Sequence, residues 1–150
     1  MGLVRGIGLR IMLLVAAANF AACATMGDPP PTLYKRLGGR EGIAIVVGDF
    51  VTNMAGDSRV NARFKDMKPA DVEKLKSNLA DQICDATGGP CSYLGRDMKT
   101  AHKGMKITDA EWSATVENLS KALDKNKVDA KDKSELLGML GPMKADIVGQ

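Results

Sequence analysis

The chain has 150 residues, 45% of them apolar and 26% charged, which is enough for one compact core and excludes wholesale disorder. Aromatic residues reach only 4%, against nine methionines, so the core is expected to be aliphatic with thioethers as adaptable filler. The formal net charge is +3, too small an imbalance to argue for nucleic acid or for an electrostatically bound membrane surface.

At the N-terminus, Arg5 and Arg10 flank and lead into the apolar run "IMLLVAAANFAAC", residues 11–23. The run is too short to span a bilayer and suits the apolar region of a signal peptide. It ends in "FAAC", which resembles a bacterial lipobox. Residues 1–22 then form the signal peptide and Cys23 becomes the lipidated first residue; an ordinary secretory signal or an uncleaved anchor are the alternatives. Ala24 after the cysteine resembles the outer-membrane sorting class. The expected location is therefore a lipid-anchored protein on the periplasmic side of a bacterial membrane, or else a secreted or soluble periplasmic one. Loss of residues 1–22 removes Arg5 and Arg10 and no acid, leaving 19 basic and 18 acidic side chains and a net charge of +1. Residues 24–31 carry three consecutive prolines and read as a semi-rigid tether. The folded domain spans 32–150.

Five segments of that domain have helical periodicity and none has convincing strand alternation. In "REGIAIVVGDFVTNMA", residues 40–55, Ile43, Val47, Phe50 and Met54 share one face. Pro69 opens the next helix at a tolerated first-turn position. That helix runs to about Thr87 with Val72, Leu75, Leu79 and Gln82 or Ile83 on one face, and "GGP", residues 88–90, stops it. A short helix is expected around 96–103. "TDAEW" is a capping box, with Thr108 as the cap and Glu111 reaching back; Trp112, Val116, Leu119 and Leu123 follow as its apolar stripe. Asp129 starts the last helix, with Leu136, Leu140, Met143 and Ile147 as its stripe and a kink without termination at Gly141-Pro142. The domain is all-α, with antiparallel helices joined by short loops.

Once Cys23 takes lipid, Cys84 and Cys91 remain. In an oxidising compartment they form a disulfide or stay as two reduced thiols. A single histidine and no C-x-x-C pair argue against zinc. That histidine is His102. A neutral imidazole can ligate haem iron through Nε2 while Nδ1–H donates to a backbone carbonyl, and one axial histidine is the minimum for a globin-type site. C-x-x-C-H is absent, so any haem would be held non-covalently.

"LYKRLGGREGI" at 33–43, "VNARFKD" at 60–66, "ATGGP" at 86–90 and "DMKTAHKGMKITDAEW" at 97–112 occur in that order. Together they resemble the truncated haemoglobins of group I over residues 33–148. The resemblance implies a two-over-two helical sandwich around one haem b. Tyr34 and Leu37 would lie in a vestigial first helix. Gly38-Gly39 would turn into the helix of residues 40–55, and Gly88-Gly89 would follow the helix that Pro69 opens, since glycine reaches positive φ without steric cost. His102 matches the proximal iron ligand and Phe64 the phenylalanine packed on the haem face. Phe50, Leu75, Leu79, Met98, Met105, Ile107 and Trp112 would line the pocket, and Arg96, Lys99 and Lys103 are candidates for the propionates.

The sequence departs from that pattern on the distal side. Val51 stands where many members carry a tyrosine, Leu75 and Leu79 where glutamines are common, and Asn78 where some relatives place a distal histidine. Gln82 shares the face of Leu75 and Leu79, so Gln82 or Asn78 is expected to supply the polar distal contact. One hydrogen bond to a charged acceptor contributes about 1.5–3 kcal/mol, and its loss speeds oxygen release by roughly tenfold to a hundredfold. The expected act is reversible binding of a diatomic ligand (oxygen, nitric oxide or carbon monoxide) at His102-ligated iron, by a monomer or weak dimer with no nucleic-acid partner. The alternatives are a nitric oxide dioxygenase or peroxidase-like enzyme fed by an unidentified electron donor, and a haem-free helical lipoprotein acting as an interaction module.

Overall fold

A computed structural model describes residues 29–150 as one continuous stretch; apart from Gly2, the expected signal segment, Cys23 and residues 24–28 of the expected tether lie outside the described residues. α1 (Leu33–Arg36) is a single turn, with Thr32 accepting a hydrogen bond from the Lys35 N–H. Leu37 caps its end, and Gly38, at φ 85°, makes the left-handed corner into α2 (Gly39–Gly56). α2 buries Val46 and Val51 beside the expected stripe of Ile43, Val47, Phe50 and Met54. Its buried face is therefore wider than one stripe, while Ile45 in the same apolar run stands exposed.

A 3-10 turn at Asn61–Arg63 leads to α3 (Pro69–Ala86), with Pro69 in its first turn. Thr87 closes that helix, its hydroxyl donating to the Ile83 carbonyl at 2.6 Å. Gly88 follows at φ 80°. Gly89 has a different cause from the one its sequence suggests. Its φ is not positive; a Cβ there would come within 2.5 Å of Cys84 Sγ and of Tyr34 Cδ2, so close approach demands the glycine.

α4 (Met98–His102) is capped by Asp97, and α5 (Asp109–Lys125) opens with both halves of the Thr108–Glu111 capping box in place. The last helix differs from expectation. α6 (Ala130–Leu140) ends before Gly141-Pro142, a 3-10 turn covers Gly141–Met143, and α7 (Lys144–Ile147) resumes. Pro142 has no N–H to give the α-helical ladder, so the chain keeps a helical path while its hydrogen bonding is interrupted.

α2 packs against both α3 and α5, and α5 against α6. The result is two helix pairs, α2/α3 over α5/α6, with Ile43, Val47, Cys84, Leu123 and Leu136 deepest in the core. Polar ties cross between the layers: buried Asn118 on α5 donates to Asp57 at the end of α2 (2.7 Å), and Asn126 donates to Asp49 (2.8 Å). Arg36 joins α1 to α6 through Asp132 (2.8 Å) and Glu135. Among the described residues the only strand-like pairing is one bridge between Ile107 and Val148, which lays the chain end beside the segment after α4. No described helix is long and apolar enough to cross a membrane.

Candidate functional site, a cavity around His102

The site is organised by the five-residue helix α4. Asp97 caps it by accepting from the Thr100 N–H at 2.9 Å, and the Thr100 side chain first, then that N–H, hold the Asp97 carboxyl below its ordinary pKa. Met98 and His102 are four residues apart and share a face. His102 Nδ1 lies 2.8 Å from the Met98 carbonyl oxygen. A carbonyl only accepts, so Nδ1 carries a proton, and in the neutral imidazole Nε2 is then the nitrogen with the lone pair. The ring is thereby fixed in one tautomer with one nitrogen free to ligate.

His102 lines a cavity of about 380 Å³, within the range of about 300–1,000 Å³ that holds cofactors and small ligands. Its α2 wall is Phe50, Val51 and Met54; Phe64 and Met67 close one end. The α3 wall is Leu75, Asn78, Leu79 and Gln82. Met98, Ala101, His102, Met105 and Ile107 come from α4 and the segment after it, and Glu111, Trp112 and Thr115 from α5. A smaller apolar cavity of about 160 Å³ adjoins it, sharing Phe50, Leu79, Gln82, Met98, His102 and Trp112, and reaches Leu136, Met139 and Leu140 on α6.

The structure thus brings together Phe50, Phe64, Met98, Met105, Ile107 and Trp112 with His102, and all five distal residues, Val51, Leu75, Asn78, Leu79 and Gln82. Lys99 and Lys103 are not part of this wall. The cavity face of α4 is filled by Met98, Ala101 and His102, while Lys99 and Lys103 stand exposed in solvent. Of the three basic candidates only Arg96 lines the cavity. The Gln82 amide nitrogen lies 3.6 Å from Met98 Sδ and 3.9 Å from Met143 Sδ, engaged by two thioethers. Cys84 and Cys91 are joined in a disulfide with Cα atoms 5.8 Å apart. It ties the end of α3 to the loop that carries Tyr93 and Arg96 to the cavity.

Several wall residues carried no site signal in the sequence. Tyr93 follows no periodic pattern; its hydroxyl donates to the Arg96 carbonyl at 2.8 Å, and its ring fills the space a Cβ on Gly95 would need. Arg63 reaches the wall from the 3-10 turn and pairs with Glu111 at 2.8 Å. Glu111 was legible only as a helix cap. Its carboxyl sits below the usual carboxylate range, chiefly through the Thr108 backbone N–H and then through Arg63.

A mostly apolar cavity lined by one imidazole and by the Arg96 guanidinium suits an apolar iron macrocycle with carboxylate substituents, the second guanidinium, Arg63, being engaged by Glu111 and the Met105 carbonyl. It does not suit a bare metal ion, because no group of three His, Cys, Asp or Glu converges anywhere among the described residues.

Residues 32–148 match the bacterial-like globin family. The chain is 30% identical to the group 1 truncated haemoglobin of Mycolicibacterium paratuberculosis over 118 residues, covering 79% of this chain and 85% of that protein. The Fe(III) crystal structure of the truncated haemoglobin from Tetrahymena pyriformis superposes with a TM-score of 0.75 at 28% identity, over 80% of this chain and all of that one. The 2/2 haemoglobin of Synechococcus, solved in its cyanomet state with covalently attached haem, gives a TM-score of 0.71 at 28% identity, over 79% and 98% of the two chains. The helix pairs described above are the 2/2 globin sandwich, and the chain belongs to the bacterial-like globin family as a relative of the group 1 truncated haemoglobins.

Proposed function

We propose that the chain binds haem b non-covalently in the cavity beside His102 and uses it to bind a diatomic gas reversibly. The observation that carries this reading is the 2.8 Å contact between His102 Nδ1 and the Met98 carbonyl, which prepares Nε2 as an iron ligand inside an apolar cavity. Haem iron, when present, supplies an open coordination position for oxygen, carbon monoxide or nitric oxide. The chain's own residues supply the rest. Met98 orients the imidazole through its carbonyl. Phe50, Phe64, Leu75, Leu79 and Trp112 line the cavity and would hold the macrocycle and exclude water from it, and Arg96 would offer a cation at the wall for a carboxylate. The family relationship and the likeness to a haem-containing solved structure support haem binding; in that Synechococcus protein the haem is covalently attached, and the non-covalent mode proposed for this chain rests on the absence of a C-x-x-C-H motif from its sequence.

The test is optical. Expressed with a haem supply, the wild-type protein is expected to show a Soret band that shifts under carbon monoxide, and acid-organic extraction should release unmodified haem b. His102→Gly should lose the band, and added imidazole should restore it. An unchanged spectrum in His102→Gly would remove residue 102 from the iron, and a colourless wild type would leave only the haem-free helical module.

A further inference from the structure

The segment that follows His102 cannot hold its own shape. Gly104 lies at φ 81° and Lys106, which has a side chain, at φ 49°; a non-glycine residue in that region costs free energy unless its surroundings fix it. The segment's one local bond runs from the Met105 N–H to the His102 carbonyl at 3.0 Å. Its other partners come from distant parts of the chain. On one side the chain end closes on it: the Lys106 N–H donates to the Gln150 carbonyl at 2.5 Å, and the Gly149 N–H to the Ile107 carbonyl at 2.9 Å.

On the other side stands Arg63. Its Nη1 donates to the Met105 carbonyl at 2.9 Å, while Nε and Nη2 both reach Glu111 Oε1, at 2.9 and 2.8 Å. Glu111 is itself immobilised, because its Oε2 accepts from the Thr108 N–H at 2.9 Å and the Thr108 hydroxyl at 3.0 Å. The guanidinium fork therefore grips a fixed carboxylate with one edge and the His102 segment with the other. Arg63 sits next to Phe64, and both line the cavity. It joins the turn before α3 to the segment that carries His102.

We propose that Arg63 is a positioning residue for His102: its bond to Met105, braced on Glu111, holds residues 103–107 closed beside the cavity and slows haem loss. The inference rests on the haem reading above, and adds a residue that touches neither iron nor gas. Arg63→Ala should leave the Soret position of the carbon monoxide form unchanged, because His102 and its Met98 contact remain. It should speed haem transfer to an excess of an apo-globin acceptor about tenfold, the scale of one charge-assisted hydrogen bond. Arg63→Lys keeps a donor for one acceptor only and should recover part of that loss. Glu111→Gln keeps the helix cap but removes the ionic brace, so it should fall between wild type and Arg63→Ala and serves if Arg63→Ala does not fold. Amide hydrogen exchange supplies an independent readout. In Arg63→Ala the amides of Met105 and Lys106 should lose protection relative to the middle of α5. Wild-type transfer rates and wild-type protection in both variants would overturn the proposal. A wild-type chain that takes up no haem would sink the functional reading instead, and the hydrogen-exchange comparison would still decide the role of Arg63.

Discussion

Asn78 and Gln82 are four residues apart on α3 and line the same cavity, but they are not equivalent. The Gln82 amide nitrogen lies toward the sulfurs of Met98 and Met143. Thioethers are weak acceptors, yet together they draw that amide toward α4 and the turn after α6. The Asn78 carboxamide has no such partner among the described residues and is the polar group available on the α3 wall. If the haem reading holds, Asn78→Leu should raise the oxygen dissociation rate about tenfold, whereas Gln82→Leu should change it by less than about threefold, a fraction of one hydrogen bond. Stopped-flow oxygen release measures both, with carbon monoxide release as the insensitive control. Equal effects would place the two amides in the same role. The helical period was sufficient to put Gln82 on this face. It could not show what the amide touches, because Met143 lies 61 residues away and only the folded chain brings the two together.

Among the elements, the Cys84–Cys91 disulfide fastens the end of α3 to the loop at the cavity's edge. The cysteines are seven residues apart, and closing so short a loop stabilises a chain by about 2.5 kcal/mol on the entropic account. Cys84→Ala/Cys91→Ala should therefore lower the unfolding free energy by about 2 kcal/mol in urea, and reductant should do the same to the wild type but not to the double variant. If reductant leaves the wild-type midpoint in place, the two thiols are not bridged in the isolated protein. Elements with strong local signals were legible in advance. The Thr108–Glu111 box and Pro69 set two helix starts within a residue, since caps act through bonds three residues apart. The break at Gly141-Pro142 was only half legible. A proline marks where the ladder loses a donor, but whether the chain bends or re-forms as a 3-10 turn depends on packing. α7 packs against α4, and that contact has no trace in the local sequence. The wall of the site divides the same way. Phe50, Leu75 and Trp112 lie on stripes that any helix would bury, while Arg63 and Tyr93 stand in segments with no period.

For the molecule as a whole, acidic side chains tie separate elements together, and four of them, Asp49, Asp57, Glu111 and Glu117, are held below their ordinary pKa. Asp49 on α2 accepts from Lys125, the last residue of α5, and from Asn126 just past it, with Lys125 the main cause of its depression. Asp57 is held down first by Arg59 and then by Asn118. Glu117 is lowered to about 2, chiefly by Arg59 and then by Lys121. Glu111 adds the same sign. Asp57–Arg59, Glu117–Lys121 and Thr108–Glu111 are local pairs, but those that join separate elements do not follow from local spacing, their partners lying up to 77 residues apart. A carboxyl whose pKa is depressed on folding contributes its full stabilisation above its unfolded pKa and loses it as the pH falls through the folded value. The melting temperature of the protein should therefore be level from neutrality down to about pH 5, and fall steadily between about pH 4 and pH 2. Exposed ion pairs contribute little each and are screened by salt, so the acid slope should shrink in high salt without vanishing, because the hydrogen bonds from Asn118 and Asn126 are not ionic on the donor side. Glu117→Gln isolates one member of the set. It removes a group whose stabilisation is lost between its unfolded pKa and its folded value of about 2, so the melting curve of the variant should fall less steeply than the wild-type curve from about pH 4.5 down to about pH 2 and match it above about pH 5. If the variant and wild type lose stability in parallel down to pH 2, Glu117 titrates alike in the folded and unfolded chain, and the bridge from Arg59 to α5 contributes nothing to the union of the two layers.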